Sequence, residues 1–213
     1  STAASSSPQN LHGRLRMDIA PSQLTPWKPR PVLGAQNALI LQVEFPDVRF
    51  ASSTSRISSL LETVDQWFRT SSYGKMYINF TIYEDVLTLP RTMASYGAPE
   101  PGASRGDDPA RLDGYVSDTL GIVLSETSID LMGFKHIVII HSGEDEAAAA
   151  GNPNAIWSFC ACEGPYADEN PDAASWKLVD DTGAVVHTFW GVSTFSEDEP
   201  WSILAHELSH SLG

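Results

Sequence analysis

Residues 206–213, HELSHSLG, constrain this chain more than any other segment. His206 and His210 stand four residues apart, and on a helix, where positions i and i+4 lie on one face a turn apart, they can reach a single ion together. Glu207 follows the first histidine, about 100° round the axis, near that face without having to coordinate. The context agrees with a helix. Asp198, Glu199 and Pro200 make an acidic start, with the proline expected in the first turn, where its missing N–H has no partner to lose. Ile203, Leu204, Leu208 and Leu212 recur at roughly helical spacing, and Gly213 falls where a helix stops on a residue at positive φ. The bland alternative is a surface helix with two incidental histidines.

Histidine, glutamate and histidine in this pattern form the zinc-peptidase arrangement. A zinc ion held by three protein ligands keeps a fourth position for water and lowers the pKa of that water to roughly 7. His206 and His210 are the expected ligands. Glu207 is the expected general base, taking the proton as water attacks a scissile carbonyl, and then the acid that returns it to the leaving amine. The third ligand is expected a few residues beyond the turn that Gly213 permits. Because the sequence stops there, that ligand is expected from a downstream segment or a companion chain, in a longer or proteolytically cut protein.

Composition narrows the remaining classes. A chain of 213 residues with 42% apolar residues and six tryptophans can bury a substantial core. No apolar run reaches the roughly 18 residues of a membrane span. A net charge of −14, from 27 acids against 13 bases, argues against nucleic acid as a partner. The clusters Glu144, Asp145, Glu146 and Asp180, Asp181 offer oxygen ligands for calcium (Ca2+), although neither has a recognisable loop spacing. Cys160 and Cys162 are the only cysteines. A bridge between them would close a small, strained ring, so free thiols or partners outside the chain are expected, with zinc ligation by the pair a weak alternative. The Ser-rich start and the sequon Asn79-Phe80-Thr81 are compatible with a processed, secreted protein.

Residues 1–35, rich in Ser and Pro, read as an extended N-terminal arm laid over residues 36–213. Residues 36–45 suit a central strand. Ile57, Leu60, Leu61, Val64, Trp67 and Phe68 mark a helix capped by Thr54 or Ser55. Residues 76–89 alternate as a strand, and Asp107, Asp108 and Pro109 open a helix whose buried stripe is Leu112, Tyr115, Val116 and Leu120. Residues 136–141 make a second all-apolar strand, and residues 185–194 a strand leading directly into the motif helix. This order is the grammar of an α/β fold, a mixed twisted sheet packed by helices. A strand beside the metal can hold an extended substrate along its edge by backbone pairing. His187 lies in that last strand, while His136 and His141 bracket the buried one; for these, and for His12 in the arm, structural roles are the expectation.

With these residues placed, the chain resembles the catalytic domain of the immune inhibitor A type of secreted zinc metallopeptidases. The resemblance covers residues 38–213: ALILQVEFPDVRF from Ala38, SYGK from Ser72, GFKHIVIIHSGE from Gly133, IWSF from Ile156 and AHELSHSLG from Ala205, in that order. It implies a zincin-like catalytic domain with its active-site helix at the C-terminal end, His206 and His210 as zinc (Zn2+) ligands, Glu207 as catalytic acid/base, secretion, a protein or peptide substrate and frequent calcium binding. The family's motif usually continues Leu-Pro-Asp, the acidic residue standing as third ligand. Ser209 takes the place where the family commonly has glycine.

Three readings follow: a secreted zinc endopeptidase, the same site restricted to a specific glycoprotein or surface target, and a non-catalytic binding module on a peptidase scaffold. Glu207 argues against the last, because a purely structural zinc site needs no such carboxylate and usually closes with four protein ligands.

Overall fold

A computed structural model describes residues 14–17, 31–103, 106, 108–148, 152–174 and 176–212. In chain order the elements are β1 (Arg14–Met17), β2 (Gly34–Glu44), α1 (Thr54–Ser71), β3 (Met76–Thr88), α2 (Met93–Gly97), α3 (Pro109–Glu126), β4 (His136–His141), β5 (Phe159–Cys162), α4 (Tyr166–Glu169), β6 (Trp176–Val179), β7 (Val185–Thr188), β8 (Gly191–Ser196) and α5 (Trp201–Leu212). Five strands form the main sheet in the order β3-β2-β4-β8-β5, and β1, β6 and β7 form a smaller one in the order β1-β6-β7. In the main sheet β3, β2, β4 and β8 are parallel, while β5 runs antiparallel to β8 at the edge. The architecture is mixed α/β, a mixed sheet packed by helices.

β2 and β4 are apolar on both faces because both faces are covered. Ala38, Ile40, Val138 and Ile140, with Phe195, pack on Ile57, Leu61, Val64 and Phe68 of α1 and on Leu204, Ala205, Leu208 and Leu212 of α5. The alternate residues Leu39, Leu41, Val43, Ile137 and Ile139 meet Tyr115, Val116, Leu120 and Val123 of α3 on the other face. Fully burying one such side chain contributes about 1.5–3 kcal/mol, which holds these two strands at the centre.

Helix ends are set locally. Ser53, one residue before the expected caps, caps α1, its Oγ accepting from Arg56 N at 3.2 Å. The helix closes on Tyr73 at φ 54°, with Gly74 N donating to Arg69 O at 2.7 Å. Asp65 ties α1 to β3 by accepting from Ile78 N at 2.8 Å. Trp67, expected on the buried stripe, is exposed and packs edge-on against Phe68. Asp108 caps α3 with Pro109 in the first turn; Asp107 lies outside the described residues.

The strand expected over residues 185–194 is two strands in different sheets: β7 pairs with β6, and β8 lies between β4 and β5. Asp168 holds the junction, accepting from Thr188 Oγ at 2.6 Å, Trp190 Nε1 at 2.9 Å and Lys135 Nζ at 2.6 Å. The apolar pattern runs through the break, so periodicity alone cannot reveal the change of sheet. Within residues 1–35, Arg14–Met17 pair antiparallel with β6, and Gly34 and Ala35 open β2. Residues 1–13 and 18–30, with His12, lie outside the described residues. Among the described residues no helix is long and apolar enough to cross a membrane.

Candidate metal centre

α5 begins at Trp201, so Asp198, Glu199 and Pro200 precede its first turn instead of forming it. The connection from β8 is pinned before the helix starts. Glu197, 2% exposed, accepts from the backbone N–H groups of Ala51, Ser52 and Gly143 at 2.9, 2.6 and 3.3 Å, and Arg56 Nη2 donates to its carbonyl at 2.9 Å. Launched from this point, α5 packs back against β8, β5 and α1. Leu204, Ala205, Leu208 and Leu212 face the core, Glu207 and Ser211 are buried one turn apart, and His206 and His210 are exposed.

The two exposed imidazoles lie together. His206 Nε2 and His210 Nε2 are 3.2 Å apart, with ring centroids at 4.8 Å and planes at 89°. Two nitrogens each bonded to a tetrahedral zinc at 2.0–2.1 Å stand about 3.3 Å from one another, so this spacing suits two corners of such a site. Glu207 beside them is 7% exposed. Burial holds its carboxyl above the ordinary carboxylate range, against the pull of His206 and His210 and with a push from Asp145. Among the described residues no group of three or more His, Cys, Asp and Glu is placed to hold an ion, so the histidines supply two donors and no third. Gly213 lies outside the described residues.

The remaining histidines do not join this pair. His187 Nε2 donates to Phe134 O at 2.7 Å, and its ring meets Phe189 edge-on. His136 and His141 are buried at the two ends of β4. His141 Nδ1 donates to Ser142 O at 3.0 Å, while His136 Nδ1 lies 2.9 Å from Ser211 Oγ on α5. Burial lowers both pKa values, that of His136 to about 4 with help from Lys135, so both rings are neutral at neutral pH.

Within the acidic clusters, Asp145 and Asp180 accept protein donors. Asp145 accepts from Ser158 N and Oγ at 2.5 and 2.7 Å and from Ala147 N at 2.6 Å. Asp180 Oδ1 accepts from Thr182 N and Oγ and from Ala184 N, which shapes the turn from β6 to β7. Cys160 and Cys162 are unbridged thiols on β5. Contact with Cys162, together with burial, raises the Cys160 thiol. Gly191 and Ser211, which shape the packing beneath the motif, went unmarked in the sequence; a small residue at a buried position of the motif helix was the one available signal. Compared with known proteins, the chain matches no family model and shows no significant similarity to a curated protein.

Proposed function

We propose that this chain is the zinc-binding part of a secreted, zincin-like zinc endopeptidase of the immune inhibitor A type. The reading is carried by the pair of exposed imidazoles with Nε2 atoms 3.2 Å apart beside the buried Glu207. A mixed sheet with an antiparallel edge strand, packed on the motif helix, supports the zincin-like part. His206 and His210 would hold the zinc, with a third donor from a downstream segment or companion chain. When bound, the ion supplies a Lewis acid for the scissile carbonyl and acidifies water. Glu207 takes and returns the proton, and its burial brings the carboxyl closer to the pH at which proton exchange is efficient.

The substrate-holding edge moves from its expected place. β8 is paired on both sides, whereas β5 offers an outer edge next to α5. An edge strand can take an extended peptide as a further strand, which makes side-chain preference modest.

A second reading, a binding module on this scaffold, is favoured by the finding of two donors instead of three among the described residues. Hydrolysis of an unfolded protein, followed before and after chelation and with zinc added back, separates the two. Loss and recovery are expected of the peptidase; zinc binding without hydrolysis in any condition would mean either the module or a peptidase part that lacks the segment carrying its third donor.

A further inference from the structure

At Ser211 the motif helix rests on bare backbone. Gly191 opens β8, and a Cβ built there would lie 2.5 Å from Ser211 Cβ, 2.9 Å from Cys162 Cβ and 3.1 Å from Cys160 Sγ. Only glycine lets the helix come this close. His136 stands in register with Gly191 on the neighbouring strand and places Nδ1 2.9 Å from Ser211 Oγ. Ser211 Oγ donates its one proton to Leu208 O at 2.9 Å, so it accepts from His136 Nδ1–H. Both side chains are buried, and Trp190 packs edge-on against the imidazole with centroids at 5.6 Å.

We propose that His136, Ser211 and Gly191 form a clamp that sets the height and rotation of the last turn of α5, and through it the separation of the two imidazoles. The inference rests on the zinc-site reading above. Ser211 follows His210 directly and lies one turn beyond Glu207, so any rotation that lifted Ser211 off Gly191 would carry both with it. The contacts of Leu204, Leu208 and Leu212 are non-directional and tolerate small slides. A buried hydrogen bond and a backbone contact do not. His136 is thus a positioning residue: it acts through Ser211 and is buried away from the exposed imidazoles.

The test is the zinc affinity of the full chain, by competition with a chromophoric chelator, read beside amide hydrogen exchange at residues 209–212 without zinc. Ser211→Ala and His136→Leu are expected to weaken zinc binding about tenfold, as loss of a supporting contact does, and to speed exchange. His136→Asn, whose side-chain amide can donate from nearly the position of Nδ1, should restore both to within about twofold of the unmodified chain. Far-UV circular dichroism confirms that each variant is folded; if His136→Leu is not, Ser211→Ala against His136→Asn decides. Unchanged affinity and exchange in Ser211→Ala, or a His136→Asn chain as impaired as Ser211→Ala, would overturn the clamp. If the unmodified chain binds no zinc, two histidines without their third donor do not hold the ion, and the exchange data alone then judge whether the clamp orders the helix.

Discussion

Helices α1 and α5 cover the same face of the sheet and share one core, yet they are held by different means. α1 runs for 18 residues and buries four apolar side chains, Ile57, Leu61, Val64 and Phe68. α5 has 12 residues and buries Glu207 and Ser211 beside Leu204, Ala205, Leu208 and Leu212. A covering helix can be held by apolar area alone, since that attraction has no preferred direction. A helix that presents two imidazoles to one ion needs its rotation set to a fraction of an ångström. On the zinc-site reading proposed above, the buried polar groups of α5 and the contact with Gly191 supply that restriction, and the buried Glu207 carboxyl is their cost in stability.

The contrast breaks most sharply at Glu207. We expect Glu207→Gln to keep its zinc and lose about 10³-fold in kcat/KM, measured with metal content on the same sample; retained activity excludes the mechanism. His206→Ala or His210→Ala should lose the zinc as well. On α1, Leu61→Ala should cost about 3 kcal/mol in urea unfolding and leave the zinc affinity of the folded chain unchanged. A fall in affinity would mean that α1 also positions the site.

Acid should loosen the α5 side before it touches the apolar contacts of α1. His136 binds its proton near 6.5 when unfolded and near 4 when folded. Between these values the unfolded chain carries more protons, so its contribution is complete above about pH 6.5, falls as pH drops, and levels off below about pH 4. The span is about 3 kcal/mol. Urea midpoints across this range should show the slope, and His136→Asn should flatten it; an equal slope in the variant would assign the effect elsewhere, His141 first. The smallest effect belongs to the end of α1. Tyr73 is 90% exposed and held at φ 54°, so Tyr73→Gly should raise stability by about 0.5–1 kcal/mol without altering zinc affinity, which a thermal melt can resolve.

Much of the fold was legible because it is written in local periods. The stripe from Ile57 to Phe68, the two-sided apolar runs of β2 and β4, and the Asp108-Pro109 start of α3 declare themselves within a few turns of chain. Trp67 and Pro200 mark the limit of such reading. An apolar stripe does not say where the neighbouring layer ends, and an acidic, proline-bearing start does not say which residue makes the first helical hydrogen bond. The break between β7 and β8 was hidden for a related reason: Val185 to Thr194 stays strand-like throughout, and only Asp168, gathering Thr188, Trp190 and Lys135, marks where the chain leaves one sheet for the other.

By itself the sequence determined which side chains α5 brings together, because the spacing of His206, Glu207 and His210 along a helix follows from covalent geometry and 3.6 residues per turn. It also determined that the sheet would be covered on both faces, since runs such as residues 136–141 leave no side for water. Tertiary structure alone decided that β5 is an edge strand beside the motif helix, that Gly191 lies under Ser211, and that His136, 75 residues away in the chain, reaches that helix. These are pairings between distant segments, chosen by which surfaces fit once the whole sheet has formed, and no local pattern encodes a partner that far along the chain.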